Sequence, residues 1–290
     1  MIKSRKLFRE CLSFCLHLRW HYQVVILSAG FLLGGLLSGL ETPADFLFNF
    51  LVIHLLLFGG ATVYNSYWDR DEGPIGGLRN PPPLAPWTRP ASILLQFGGL
   101  ILSLPMGPLY LLFYLISMLL FWLYSHPVYR WKGHPVLSMI AIGVSTGTNS
   151  LVFGYLAAGS PWDPVILIPA AGVALVMLSL YPVSQIYQRE DDEKRGDRTF
   201  AVVFGQVVVF RFFVIAFLVG IILVAIGFRI FLPDLLPVFL VVAAVAGAIT
   251  AFLLGSLKGD RSEYPLVMRI KYTMSILFVL FLAVAMVIHW

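Results

Sequence analysis

The chain has 290 residues, of which 59% are hydrophobic and only 12% are charged. Soluble proteins are about half apolar and about a quarter charged, so a soluble globular protein is excluded. The net charge of +5 comes from loop residues that would orient a membrane protein, and we expect no nucleic-acid partner. The composition predicts an all-α, polytopic membrane protein.

The N-terminal segment, residues 1–19, is basic and amphipathic. On a helix, Leu7, Cys11 and Cys15 share one side, whereas Lys6 and Arg9 lie largely elsewhere. This pattern is typical of a helix at the membrane surface. We therefore expect an interfacial segment that precedes the first membrane span.

Long apolar blocks follow, and each can cross a hydrocarbon layer roughly 30 Å thick. We predict about nine membrane spans within a single transmembrane domain over residues 1–290. The spans are residues 20–40, 44–66, 91–106, 108–125, 136–158, 164–187, 207–228, 233–256 and 270–289. Prolines at or near the starts of six spans support this segmentation, because a helix start needs no amide proton there.

Basic residues are concentrated on one side of the predicted spans. Of the 20 lysines and arginines, only Arg229 falls in a loop on the opposite side. Because positive loops stay inside, the N-terminus and the long charged loops are predicted to be cytoplasmic, in a multi-pass protein of the cell inner membrane. We expect the function on that side.

The first polar cluster, NSYWDRDEG, runs from Asn65 to Gly73 at the end of the second span. At 3.6 residues per turn, Asn65, Asp69 and Glu72 share one helix face, whereas Asp71 points substantially away. The cluster would therefore present amide and carboxylate oxygens on one face at the cytoplasmic end of the helix.

The second polar cluster, QIYQREDDEKRGDRT, runs from Gln185 to Thr199 at the end of the sixth span. If the helix continues, Gln188, Asp191 and Asp192 share a face with Gln185. Acidic residues are unfavourable at a helix C-terminus and call for a counter-charge. A solvated ion-pair network would supply it locally. Two oxygen-rich clusters that face each other would instead suit Mg²⁺ ions that hold a diphosphate.

Three stretches resemble motifs of the UbiA family of intramembrane prenyltransferases. Asn65 and Asp69, with the acidic loop after them, resemble the first family motif, and DEKRGDRTFAVVFG, which begins at Asp192, resembles the end of the second. YSHPVYRWK, from Tyr124 to Lys132, is similar to a stretch of the chlorophyll synthase branch. The resemblance covers nearly the whole chain and implies a helical bundle around a central cavity.

The resemblance also implies roles for particular residues. The side chains that would hold Mg²⁺ are Asn65, Asp69, Asp71, Glu72, Gln188, Asp191 and Asp192. Those that would bind the substrate are Tyr124, Arg79, Arg130 and Lys132. Asp69 and Asp192 would be the catalytic carboxylates.

Three positions depart from the family motifs: Ser66, Gly73 and Gln188 stand where the family has aspartates. Two functions therefore stay open. The resemblance implies transfer of a polyprenyl group from a polyprenyl diphosphate to a lipophilic acceptor in membrane lipid, with Mg²⁺ as cofactor and pyrophosphate as product. The alternative is a non-catalytic isoprenoid or anionic-lipid binding or transport protein with the same fold.

Overall fold

A computed structural model describes residues 2–289, which are largely helical and contain no β-strand. The helices are α1 (Ile2–His17), α2 (Trp20–Ile26), α3 (Ser28–Ser38), α4 (Pro43–Asp69), α5 (Thr88–Leu102), α6 (Pro108–Ser125), α7 (Pro135–Ala157), α8 (Pro164–Ile186), α9 (Arg189–Arg195), α10 (Phe200–Phe231), α11 (Pro233–Leu254) and α12 (Arg261–His289). The predicted all-α fold is confirmed.

Seven of the described helices, α4, α6, α7, α8, α10, α11 and α12, are long and apolar enough to cross a membrane. The segment Arg5–Ile26, together with α3, is an eighth candidate with a bend of 42°. The remaining helix that coincides with a predicted span is α5. It has 15 residues and covers only about 22 Å. The predicted count of nine spans is therefore not confirmed by helix length.

Helix α5 nevertheless returns the chain along α4 in the opposite direction. Near its start, the Arg89 guanidinium lies 5.6 Å from the ring centroid of Trp68, close to the end of α4. Just beyond its end, Met106 Sδ accepts from Asn49 Nδ2 near the start of α4, at 3.1 Å. The ends of α4 and α6 lie together, because Asn65 Nδ2 donates to Ser125 Oγ at 3.2 Å. Helices α7 and α8 bring the chain back to the same side, where Arg195 donates to Asp71 at 2.9 Å. We call this side the polar end.

Two glycine pairs allow the helices around the cavity to pack backbone against backbone. A Cβ atom at Gly34 on α3 or at Gly154 on α7 would collide with the main chain of the facing helix, and the same holds for Gly172 on α8 and Gly220 on α10. Small residues at such crossings are how membrane helices associate without a hydrophobic driving force. These contacts fix the walls of the cavity.

The amphipathic helix α1 is tied to the loop that follows α4. Ser13 Oγ donates to the carbonyl of Pro83 at 2.8 Å, and the Trp87 indole donates to Glu10 at 3.0 Å. Its apolar side chains Leu7 and Phe8 are exposed, as expected for a helix at a membrane surface. The interfacial placement of residues 1–19 stays a prediction.

Candidate active site

A cavity of about 360 Å³ lies within the bundle and reaches the polar end. Away from that end its lining is apolar, with Phe58, Phe121, Val224, Phe228 and Phe239. At the polar end the lining is charged or polar and includes Asn65, Asp69, Asp71, Lys132, Gln188, Asp192, Arg195 and Asp197. A site with an apolar interior and a few convergent polar groups fits an amphiphilic ligand.

The first cluster lies at the C-terminal end of α4, where the chain leaves the helix and changes direction. Helix α4 ends at Asp69, because Arg70 adopts a left-handed conformation with φ 50°. Asn65 and Asp69, four residues apart on the helix, both line the cavity. Beyond Arg70 the helical count no longer applies. Asp71 lines the cavity with its side chain only 12% exposed, and Glu72 is exposed.

The loop after α6 links this cluster to the second one. Lys132 Nζ forms an ion pair with Asp69. Arg130 lies 3.7 Å from Asp69 and forms two hydrogen bonds of 2.7 Å to the carboxylate of Asp197. A bidentate pair of this kind fixes both geometry and charge. Tyr124, at the end of α6, lies in the cavity wall with its hydroxyl 3.1 Å from that of Tyr181.

The second cluster lies at the start of a new helix, not at the end of an old one. Helix α8 is interrupted by a turn at Tyr181 and Pro182, and α9 begins after Gln188. The acids at 190–192 therefore occupy the first turn of α9, where the helix dipole favours negative charge. Our expectation of acids at an unfavourable C-terminus was wrong, because the sequence pattern did not show this break.

Arg195 joins the two clusters directly. Its guanidinium lies 2.9 Å from Asp71 of the first cluster and 3.7 Å from Asp192 of the second. Asp71 and Arg195 are 124 positions apart in the chain. The two polar clusters thus share one cavity entrance.

Burial shifts the pKa values of two charged groups at this entrance. Burial of the Asp192 carboxyl raises its pKa to about 6, although Arg195 and a 3.1 Å hydrogen bond from Thr199 act in the opposite direction. Burial lowers the pKa of Lys132, whereas its contact with the Asp69 carboxylate favours the charged ammonium. The entrance therefore holds closely packed, opposite charges in a poorly solvated site.

Several residues singled out from the sequence lie outside the cavity lining. Glu72 and Arg79 are exposed, and Asp191 pairs instead with Arg261 at 3.1 Å. Arg130 stands behind the lining, where Asp197 binds its guanidinium. The structure thus places these four residues outside the lining, and their assigned roles stay predictions. For Glu72 and Asp191 the helical count did not hold, because it cannot predict side-chain directions beyond the ends of α4 and α8.

Three residues at the entrance were missed by sequence reasoning. Asp197 follows the glycine that ends α9, and Arg195 belongs to the charged run before it. Arg19 is only 8% exposed, lines the cavity and donates to Ser66, one of the positions where the family has an aspartate. An arginine that adjoins a membrane span was the available signal for Arg19.

No group of three histidine, cysteine, aspartate or glutamate side chains within residues 2–289 is arranged to hold a metal ion. The oxygens that the cavity does offer come from Asp69, Asp71, Asp192, Asn65 and Gln188. Mg²⁺ is usually bound by one or two carboxylates together with waters and substrate phosphates, not by an all-protein cage. The donor set therefore fits Mg²⁺ that arrives with a phosphorylated ligand.

The fold defines a multi-pass integral membrane protein, and solved structures of similar fold are known. A UbiA homologue from Archaeoglobus fulgidus bound to GPP and Mg²⁺ has a TM-score of 0.69 at 16% identity, over 93% of this chain and 99% of that chain. A UbiA homologue from the same organism bound to DMAPP and Mg²⁺ has a TM-score of 0.71 at 16% identity, over 94% and 99%. A digeranylgeranylglyceryl phosphate synthase structure has a TM-score of 0.62 at 20% identity, over 96% and 99%.

Sequence comparison gives the family. The model of the UbiA prenyltransferase family matches residues 25–274. The chain therefore belongs to the UbiA prenyltransferase family, which confirms the resemblance seen in the motifs. The chloroplastic 2-acylphloroglucinol 4-prenyltransferase of Humulus lupulus is 30% identical over 111 residues, or 37% of this chain, and the match spans only 27% of that relative's length.

Proposed function

We propose that this protein is an Mg²⁺-dependent intramembrane prenyltransferase. It transfers a polyprenyl group from a polyprenyl diphosphate to a lipophilic acceptor and releases pyrophosphate. The allylic carbon–oxygen bond of the donor breaks, its electron pair leaves with the diphosphate, and the acceptor bonds to the allylic carbon and loses a proton. The observation that carries the proposal is the meeting of two distant acidic clusters at the mouth of an apolar cavity.

Asp69 and Asp192 are the proposed catalytic carboxylates, one from each cluster. They would hold Mg²⁺ together with Asn65, Gln188 and Asp71, all of which line the cavity. When bound, Mg²⁺ would neutralise the charge that develops on the leaving diphosphate. Ser66, Gly73 and Gln188 leave fewer carboxylates than the family motifs have, so phosphate oxygens of the donor would supply more of the ligands when Mg²⁺ is bound.

The basic residues at the entrance would change partners when the donor binds. Lys132 pairs with Asp69, and Arg195 pairs with Asp71 and Asp192. An incoming diphosphate offers oxygens to Lys132 and Arg195 and frees the carboxylates for the metal. Arg130 stays bound to Asp197 and holds the loop that presents Lys132.

The apolar part of the cavity would bind the isoprenoid tail. Phe58, Phe121, Phe228 and Phe239 line it, and their rings bury the tail without offering it a hydrogen bond. The rings of Tyr124 and Tyr181 also line the cavity and can stabilise a carbocation electrostatically. This division places the diphosphate at the polar end and the tail in the bundle.

Pyrophosphate release by purified protein tests the proposal. With geranylgeranyl diphosphate, Mg²⁺ and a panel of lipophilic acceptors, we expect acceptor-dependent release that EDTA abolishes. Asp192→Asn should lower the rate by about 10²-fold. Donor that remains intact with every acceptor, while it still binds, would contradict the enzyme assignment.

Two observations favour a second candidate, an isoprenoid or anionic-lipid binding or transport protein. Three motif aspartates are replaced, and no three histidine, cysteine, aspartate or glutamate side chains within the described residues are arranged to hold a metal ion. Such a protein would bind the diphosphate through Lys132 and Arg195 and leave it intact. Binding that does not depend on Mg²⁺ and is unchanged in Asp192→Asn would support this alternative.

We further propose that the polar end faces the cytoplasm and that the protein resides in the cell inner membrane. The charged loops after α4, α6 and α8 all meet at that end. If α5 completes a crossing, nine crossings place the termini on opposite sides of the membrane. Accessible tags at both termini from the same side would show an even number of crossings and contradict this topology.

A further inference from the structure

Two of the three positions at which the family motifs have an aspartate lie beside an arginine in this chain. Arg19, which precedes α2, donates from Nη2 to the hydroxyl of Ser66. A Cβ atom at Gly73 would lie only 2.6 Å from Nη2 of Arg261, so this guanidinium fills the space of the missing side chain. In both places a carboxylate of the motif is absent and a permanent positive charge lies at its position.

Arg19 lines the cavity with one of its donors unused. Its side chain is buried, and its second Nη atom donates to the carbonyl of Gly76 at 3.3 Å, whereas its buried Nε has no partner. None of the ion pairs within residues 2–289 involves Arg19. A buried charged donor without a counter-ion costs free energy that a bound anionic oxygen would recover.

Arg261, at the start of α12, touches both acidic clusters at the rim of the entrance. Its Nη2 lies 3.1 Å from Asp191 of the second cluster, and the same atom lies beside Gly73 of the first. Tyr264, three residues later, donates to the carbonyl of Ile75 at 3.0 Å and so fixes the start of α12 against the loop after α4. About half of the Arg261 side chain is exposed, which leaves its other donors accessible from the polar end.

The charges around the cavity balance one another without a bound ion. Among the described residues, four carboxylates and four cationic side chains line it: Asp69, Asp71, Asp192 and Asp197, with Arg19, Lys132, Arg195 and Lys271. The pair of Arg261 with Asp191 adds one charge of each sign at the rim. Each divalent cation that binds adds two positive charges to this poorly solvated site. A second cation would need an excess of carboxylates, which aspartates in place of Ser66 and Gly73 would have supplied.

We propose that Arg19 and Arg261 take the place of a second metal ion, so that the site binds a single Mg²⁺ with each donor diphosphate. The two guanidinium groups donate to phosphate oxygens, and Asp69 and Asp192 share the one ion with the diphosphate. This inference rests on the proposed prenyltransferase function. It gives a substrate-binding role to Arg261, which lies outside all three motif stretches.

A count of bound Mn²⁺ tests the inference. Mn²⁺ replaces Mg²⁺ because it prefers the same oxygen ligands and its EPR signal reports the free ion. Purified wild-type protein is titrated with Mn²⁺ at saturating geranyl S-thiolodiphosphate, a donor analogue that ionises poorly, and the analogue alone provides the background. We expect about one Mn²⁺ for each analogue bound to protein. Two Mn²⁺ of similar affinity for each bound analogue would overturn the proposal.

Two double variants exchange the arginine for the missing aspartate. In Gly73→Asp with Arg261→Gln, and in Ser66→Asp with Arg19→Gln, we expect a second Mn²⁺ to bind, because a carboxylate is added where a positive charge is removed. The single variant Arg261→Gln should keep the count at one and raise the Kd of the analogue by about tenfold. A count that stays at one in both folded double variants would contradict the exchange of arginine for metal.

Arg189→Gln is the matched control, because Arg189 is half exposed and pairs with Glu193 on the outer side of α9. It should change neither the count nor the Kd of the analogue. If Arg261 only fastens α12 to the loops, Arg261→Gln lowers the melting temperature and leaves that Kd unchanged, which overturns the proposal.

The count does not depend on turnover. One Mn²⁺ per bound analogue in a protein that never releases pyrophosphate supports this inference and contradicts the proposed function, whereas turnover with two bound ions does the reverse.

Discussion

The first acidic cluster lies at the end of a helix, whereas the second lies at the start of one. In the first, helix α4 ends at Asp69, and the chain turns so that Asp71 faces the cavity and Glu72 does not. In the second, a new helix begins after Gln188, and its first turn directs Asp192 inward. In both, acids that are adjacent in sequence have different environments. The helix termini, and not the number of acids, therefore decide which carboxylates face the cavity.

The inward carboxylates of the two clusters should matter most. We expect Asp69→Asn and Asp192→Asn each to lower the turnover rate by about 10²-fold or more, because each would remove a carboxylate that we propose binds Mg²⁺ as the leaving group departs. Pyrophosphate release at saturating donor measures this. Melting temperatures should change little. Variants that fail to fold, with no separate loss of turnover, would contradict a catalytic role for these two carboxylates.

Asp71 and Glu72 are adjacent in the first cluster, yet only Asp71 lines the cavity, so they test the difference between inward and outward carboxylates. Asp71→Asn should lower kcat/KM by about tenfold, because Asp71 lines the cavity and pairs with Arg195. Glu72→Gln, one position away, should change it by less than about twofold, since an exposed group loses little. Equal effects of the two substitutions would show that the loop is rearranged in the working enzyme.

Substitution of Asp197 tests whether its pair with Arg130 holds the loop that carries Lys132. Asp197→Asn should raise the donor KM by roughly three- to tenfold, because Arg130 loses a bidentate carboxylate and no longer fixes the loop of Lys132. Arg130→Lys should have a similar effect, since lysine cannot form the fork. A fall in kcat with an unchanged donor KM would instead assign Asp197 to the chemical step.

The raised pKa of Asp192, about 6, predicts how the proposed Mg²⁺ requirement depends on pH. Below that pH the carboxyl is protonated and must lose its proton to bind a metal, and above it the carboxylate is already ionised. The half-saturating Mg²⁺ concentration should therefore fall as the pH rises from about 5 to about 7 and then level off. A flat dependence over this range would contradict the role of Asp192 as a ligand.

The smallest effect is expected at Glu193, on the outer side of α9. It pairs with Arg189 at 3.0 Å, and both side chains are about half exposed. Glu193→Gln should leave turnover unchanged and alter stability by less than about 1 kcal/mol. A large loss of activity would mean that outer acids also reach the metal, and the distinction between inward and outward carboxylates would fail.

Fold class and family could be predicted from the sequence alone, and its motifs also singled out Asp69 and Asp192, which line the cavity. Apolar blocks of membrane-spanning length are a local property, and so are the motifs around Asp69 and Asp192. Helical periodicity also placed Asn65 and Asp69 together correctly, because both lie within an unbroken helix. These features need no knowledge of distant parts of the chain.

Which polar groups meet depends on contacts between distant parts of the chain. Arg130 and Asp197 are 67 positions apart, and Lys271 and Tyr22 are 249 apart, so no sequence pattern links them. The left-handed residue after α4 and the break in α8 redirected Asp71, Glu72 and Asp191, because periodicity holds only while a helix continues. Packing of α12 against α2 turned Lys271, which the sequence placed at the flank of a span, into part of the cavity wall.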